Sequence, residues 1–129
     1  MNNNYKLYKL VKSVKSENTE KSEDIDWTQA HDTYNVFYRK VKGIVEIAIN
    51  LHQSGISIGQ GSNATIGQLP ESCLPSREIN IPIYLRTSSG SFPGSVRLSV
   101  YSSGVINLFN WGSALTIDYA TSNIIFVAN

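Results

Sequence analysis

From Thr33 to the C-terminus the chain runs in short stretches of alternating apolar and polar residues, closed by Gly, Pro, Ser or Asn roughly every eight to twelve residues. A period of two places successive side chains on opposite faces of a strand. Such close punctuation leaves no room for the helical crossovers that join parallel strands. The region is therefore restricted to antiparallel strands in a sandwich or barrel.

The clearest stretch is 44–51, where Val45, Ile47, Ile49 and Leu51 share one face against Ile44, Glu46, Ala48 and Asn50. Before it, Tyr34, Val36 and Tyr38 alternate with Asn35, Phe37 and Arg39, and Lys42-Gly43 reads as a tight turn. Residues 55–58 and 64–67 flank a small-residue loop at 59–63. Residues 78–85, 95–101, 105–109, 115–119 and 124–127 complete a set of about eight or nine strands. Pro82 has no backbone donor, so its strand is expected at a sheet edge or a bulge.

Charge divides the chain. Residues 1–24 carry nine charges, from Lys6 to Asp24, with no Gly or Pro, whereas residues 48–129 carry only six. A tether over residues 1–26 is thus expected before a weakly charged β-domain over 27–129, with the boundary at Asp26-Trp27. Within the tether, Leu7, Leu10, Val11 and Val14 follow the spacing of a one-sided helix of about three turns, marginal in isolation. A frayed tail is the alternative. The polar run 16–23 reads as a solvated linker.

Several classes of function are disfavoured. Eleven Lys plus Arg against ten Asp plus Glu give a net charge of +1, without the clustered cations that nucleic acid requires. No apolar run is long enough for a transmembrane helix, and no secretory signal is visible, so no membrane insertion and synthesis inside the cell are expected. A single cysteine, Cys73, excludes an internal disulfide and a cysteine-based zinc site, and reads as a buried or half-buried small residue. His31 and His52 lack zinc-hydrolase spacing, no calcium loop appears, and Gly59-Gln60-Gly61 has no strand–loop–helix around it. No metal or cofactor is expected. Glu46, Glu71, Glu78 and Asp118 are scattered, so structural or solvent-facing roles suit them better than a catalytic pair.

One ordered set of motifs is more specific. Tyr38-Arg39-Lys40-Val41-Lys42-Gly43-Ile44-Val45 is followed by Gly67-Gln68-Leu69-Pro70 and by Leu74-Pro75-Ser76-Arg77-Glu78-Ile79. A late hairpin follows, Gly94-Ser95-Val96-Arg97-Leu98-Ser99-Val100 and then Ser103-Gly104-Val105-Ile106. In this order and spacing the chain resembles the C-terminal head domains of tail-fibre and receptor-binding proteins of phages infecting Gram-positive bacteria. The resemblance covers residues 27–129. It implies an antiparallel sandwich or barrel of jelly-roll type, forming a homotrimer at the tip of a phage tail or baseplate. It also implies binding to host cell-wall saccharides without catalysis. Such heads usually follow a long stem, whereas about 26 residues precede Trp27 here. That segment is expected to dock into other baseplate or tail proteins or to bundle in threes.

A sugar presents apolar C–H faces to aromatic rings and hydroxyls to short polar groups. Trp111 in the 110–113 loop is the leading candidate, with Asn110 beside it and Phe92 in a second loop; a Trp111 ring folded into the core is the alternative. His52 is placed as a donor to a hydroxyl, with a solvent-exposed histidine as the alternative, and Asp118 and Arg86 as bidentate partners of hydroxyls, each with a surface charge or a subunit-interface ion pair as the alternative. Tyr101 and Tyr119 read as half-buried strand residues. Three functions remain open: a saccharide-binding adhesin, a purely structural baseplate or decoration protein, and a small carbohydrate-active enzyme. The last needs two carboxylates within about 5–10 Å of each other.

Overall fold

The computed structural model describes residues 23–129, so the helical pattern at residues 7–14 lies outside the described residues. Nine strands run in chain order: β1 (Ile25–Gln29), β2 (Val36–Val41), β3 (Ile44–Ile58), β4 (Ser62–Gln68), β5 (Ile79–Pro82), β6 (Tyr84–Thr87), β7 (Val96–Val100), β8 (Val105–Asn110) and β9 (Leu115–Val127). A 3-10 turn at Glu71–Cys73 is the helical element among the described residues. The strands form two antiparallel sheets, ordered β1-β2-β3-β9-β6 and β4-β8-β7-β5. Each sheet has its own free edges, so the architecture is a sandwich and not a closed barrel.

Alternation sets the core. Val45, Ile47, Ile49 and Leu51 of β3 all point inward, as their spacing required, and meet Leu98, Val100, Ile106 and Leu108 from the opposite sheet. The β2–β3 hairpin closes on Lys42 (φ 52) and Gly43 (φ 82), two successive positive φ values that match the twist of the flanking strands. The same alternation carries Lys40 inward, where it is wholly buried. Its stem packs with the core and its Nζ donates to the Ser72 carbonyl at 2.8 Å.

Four segments differ from the expected strand list, beginning with β1, which lies ahead of the first expected strand at Tyr34. Residues 44–51 and 55–58 are one strand, β3, interrupted where Gln53 (φ 51) and Gly55 (φ 64) break the register against β9. Residues 115–127 are likewise one strand, because β3 templates the polar stretch at Thr121–Asn123 through continuous pairing. Residues 78–85, by contrast, are split. Pro82 ends β5 at the edge of the four-stranded sheet, Ile83 drops into the core, and the chain resumes as β6 at the edge of the other sheet. The missing Pro82 donor thus lies on an edge strand, where it costs least. At the N-terminal side, pairing starts at Ile25 against Lys40, two residues before Trp27.

Candidate functional site

The outer face of the five-stranded sheet gathers residues from three adjacent strands. In register, His52 of β3 pairs with Tyr119 of β9, and Tyr119 pairs with Arg86 of β6. Their inward neighbours Leu51, Ala120 and Leu85 are buried, which forces these three side chains outward. With Tyr84 and Phe92 they line a shallow recess of about 180 Å³.

Its contacts are specific. The His52 ring meets the Tyr119 ring edge-on at 5.6 Å, and Tyr84 packs at 5.7 Å against Phe92. Tyr84 and Phe92 are each 61% exposed, so their apolar faces are open to a ligand. The Arg86 guanidinium lies 5.9 Å from the Tyr119 ring centre, and its Nη2 donates to Asp118 Oδ2 at 2.8 Å. Asp118 reaches that position through a bulge. Arg86 pairs with Tyr119 while Thr87 pairs with Ile117, which leaves Asp118 as the extra residue on β9. The break in β3 between His52 and Ile56 falls at the same level of the sheet, so two irregularities together re-aim side chains around the recess.

Four of the six residues singled out from sequence therefore converge: His52, Arg86 and Phe92 on the recess, with Asp118 held by Arg86. The remaining two do not. Trp111 lies on the surface, 52% exposed, stacked at 6.3 Å on Phe109, whose ring also carries Arg97. It lines neither this recess nor the larger groove described below. Asn110 is wholly buried and its amide is spent on the protein. Its Nδ2 donates to the carbonyls of Ile58 and Ser113, and its Oδ1 accepts from Ser95 Oγ and the Gly112 amide. With all four positions used, Asn110 is a staple between β8 and its neighbouring loops and has no capacity left for a ligand.

Tyr84 was not singled out from sequence. The signal that finds it is the alternation Ile83-Tyr84-Leu85, in which two buried neighbours force the ring out. Several of the other titratable groups have structural partners. Glu46 is bound by Arg39 and by Asn123, and Glu78 accepts from Asn80. His31 Nδ1 accepts the amides of Thr33 and Tyr34 at 3.0 and 3.2 Å and lies 3.3 Å from Asp32 Oδ1. Cys73 is buried, and burial raises its thiol above the ordinary value.

A second concavity borders the first. A groove of about 550 Å³ runs between the ends of β3 and β6 and the start of β9, lined largely by Ser and Thr. The segment from Arg86 to Phe92 walls both: Arg86 and Phe92 face the recess, and Thr87, Ser88, Ser89 and Ser91 face the groove.

Two antiparallel sheets with a polar–aromatic recess on one outer face define a β-sandwich domain. Among solved structures the fold is similar to that of the head domain of lactococcal phage bIL170, described with the receptor-binding domains of lactococcal phages. The TM-score is 0.61 and the identity 14%, with 82% of this chain and 100% of that one covered. At that identity the likeness is one of fold, and it is the fold that the resemblance in sequence motifs implied. No protein-family model matches the chain, and no curated protein sequence does.

Proposed function

We propose that this chain is the receptor-binding head of a phage tail, and that it attaches to saccharides of a Gram-positive cell surface without catalysis. The observation that carries this reading is the convergence of Tyr84, Phe92 and Tyr119 around the Arg86–Asp118 pair, on a fold shared with a phage receptor-binding head. Open ring faces stack on the C–H face of a sugar. The remaining donors of Arg86, the second oxygen of Asp118 and the His52 imidazole meet its hydroxyls. Hydrolysis of a glycosidic bond uses two carboxylates across the scissile bond. Asp118 is the carboxylate at this recess, and Arg86 already engages it.

The same reading places the protein at the tail tip or baseplate of a virion, as a homotrimer, with residues 1–26 docking to other tail proteins. Support for assembly comes from a second part of the same outer sheet face. There Val41, Ile44 and Val127 lie in one cross-strand row beside Ile125 and Trp27. Ile125 and Val127 are 67% and 72% exposed, and contiguous exposed apolar side chains of this kind mark contact surfaces. That strip also favours the runner-up, a purely structural baseplate component.

The test is binding of the labelled full chain to an array of bacterial cell-surface glycans, with Tyr119→Ala and Trp111→Ala in parallel. Selective binding, lost in Tyr119→Ala and kept in Trp111→Ala, is the expected result. A wild-type chain that binds no glycan moves the structural component ahead. Loss only in Trp111→Ala would transfer the site to the Phe109–Trp111 face.

A further inference from the structure

We propose that the Ser/Thr-lined groove is a second subsite, taking an uncharged, hydroxyl-rich stretch of the same glycan chain whose other unit sits in the aromatic recess. The inference rests on the saccharide-binding reading of that recess and adds length and charge to its ligand. Four observations carry it.

The first is size: the groove is about three times larger than the recess, so it holds more than the unit the recess accepts. The second is chemistry. Ser57, Ser88, Ser89, Ser91 and Thr116 contribute five hydroxyls, Leu115 supplies apolar surface, and among the described residues no ionisable side chain lines the groove; the buried Thr87 hydroxyl is spent on holding Ser89 and Ser91. Hydroxyls donate and accept by rotation, so they match a ligand made of hydroxyls and apolar C–H faces. Among the described residues an anionic ligand meets no cation in the groove, because Arg86 lines the recess and is paired with Asp118.

The third is rigidity. Ser57 and Thr116 are register partners on β3 and β9, with Oγ and Oγ1 2.8 Å apart. Thr87 Oγ1 lies 2.6 Å from Ser91 Oγ and 2.9 Å from Ser89 Oγ. The turn that presents them is closed by the Thr87 amide on the Ser91 carbonyl and the Gly90 amide on the Thr87 carbonyl. Its hydroxyls are thus fixed before a ligand arrives, which limits the ordering cost of binding. The fourth is position: one segment, Arg86 to Phe92, walls both concavities, so a single linear chain crossing it touches both.

The experiment measures binding of the full chain to neutral monosaccharides, to linear neutral oligosaccharides of the same units, and to phosphorylated counterparts. It compares wild type with Ser88→Trp, which fills the groove from an exposed position, with Ser57→Ala/Thr116→Val, which removes a hydroxyl pair, and with Tyr119→Ala. Near-ultraviolet dichroism checks that each variant is folded. We expect oligosaccharides to bind wild type about tenfold tighter than monosaccharides. That gain should vanish in both groove variants while monosaccharide binding is unchanged, and phosphorylation should not increase affinity. A length-independent affinity, or groove variants indistinguishable from wild type, overturns the second subsite and leaves the recess standing. Preference for the phosphorylated series overturns the charge argument. If Tyr119→Ala binds monosaccharides as wild type does, the recess reading fails, and the shared-chain proposal fails with it.

Discussion

At the scale of single residues, positions that look alike in the sequence carry different loads. Gly90 and Gly104 both sit in Ser-rich turns, with φ of 89 and 90. A Cβ on Gly90 meets nothing within 4 Å, whereas one on Gly104 lies 2.8 Å from Gln68 Nε2, the Leu69 carbonyl and Leu74. Gly90→Ala is expected to cost about 1–2 kcal/mol of backbone strain. Gly104→Ala should cost clearly more, because backbone must also move. Urea unfolding of the two variants checks this, and equal losses would show that the contacts around Gly104 yield freely. Cys73 and Tyr38 supply a pH dependence. Burial is the main cause that raises both, from ordinary values of 9.0 and 10.0. The folded state holds these protons more tightly than the unfolded chain does. The stabilisation is therefore complete below the ordinary values and is lost as pH rises through the raised ones. Unfolding midpoints should fall as pH rises above about 9.0, with a later onset in Cys73→Ala; an unchanged onset would remove Cys73 as a cause.

At the scale of elements, the paired irregularities in β3 and β9 explain why the recess lies where it does. A regular β9 has one residue opposite each residue of β6, and the alternation would then turn either Asp118 or Tyr119 inward. The bulge instead keeps both on the outer face beside Arg86. The ion pair contributes little to stability, since both partners are partly exposed. Asp118→Ala is accordingly expected to change stability by about 0–1 kcal/mol, while saccharide binding weakens because Arg86 loses its anchor. A large loss of stability with binding intact would assign Asp118 to the scaffold. Neither bulge is legible in local pattern, because the offset exists only between strands distant in the chain. What was legible is the strand content itself, together with the edge position of β5, since alternation and a missing proline donor act locally.

At the scale of the whole molecule, one sheet face carries both the recess and the apolar strip. His52 and Ile44 are eight residues apart on β3, about 27 Å along an extended strand. Asn50, Thr121 and Asn123 lie between them and keep the two zones apart, while the Arg39–Glu46 pair lies in the strip itself beside Ile125. On the proposed reading the strip is covered in a trimer and the recess stays accessible. Light scattering of wild type should then report about three times 14.3 kDa, and Ile125→Asp/Val127→Asp should reduce it to a single chain. A monomeric wild type, or an unchanged mass in the variant, would refute the strip as an interface. Removing residues 1–22 should leave a folded domain, because pairing starts at Ile25 and Asp24 Oδ1 accepts the Lys42 amide at 2.8 Å. Aggregation of the shortened chain would instead make that segment part of the fold.

Local pattern alone establishes the antiparallel class, the inward set on β3 and the poverty of charge across the β-domain. Each follows from neighbours a few residues apart, through side-chain alternation and turn chemistry. Tertiary structure decided the rest. It joined residues 44–58 and 115–127 into single long strands, divided residues 78–85 between two sheets at Ile83, and buried Lys40 and Asn110, whose partners Ser72, Ile58 and Ser95 lie far away in sequence. It also brought His52, Arg86, Phe92 and Asp118 to one place while leaving Trp111 elsewhere. Strand order and register fix which distant residues share a surface, and those are properties of pairing between segments, which no local pattern encodes.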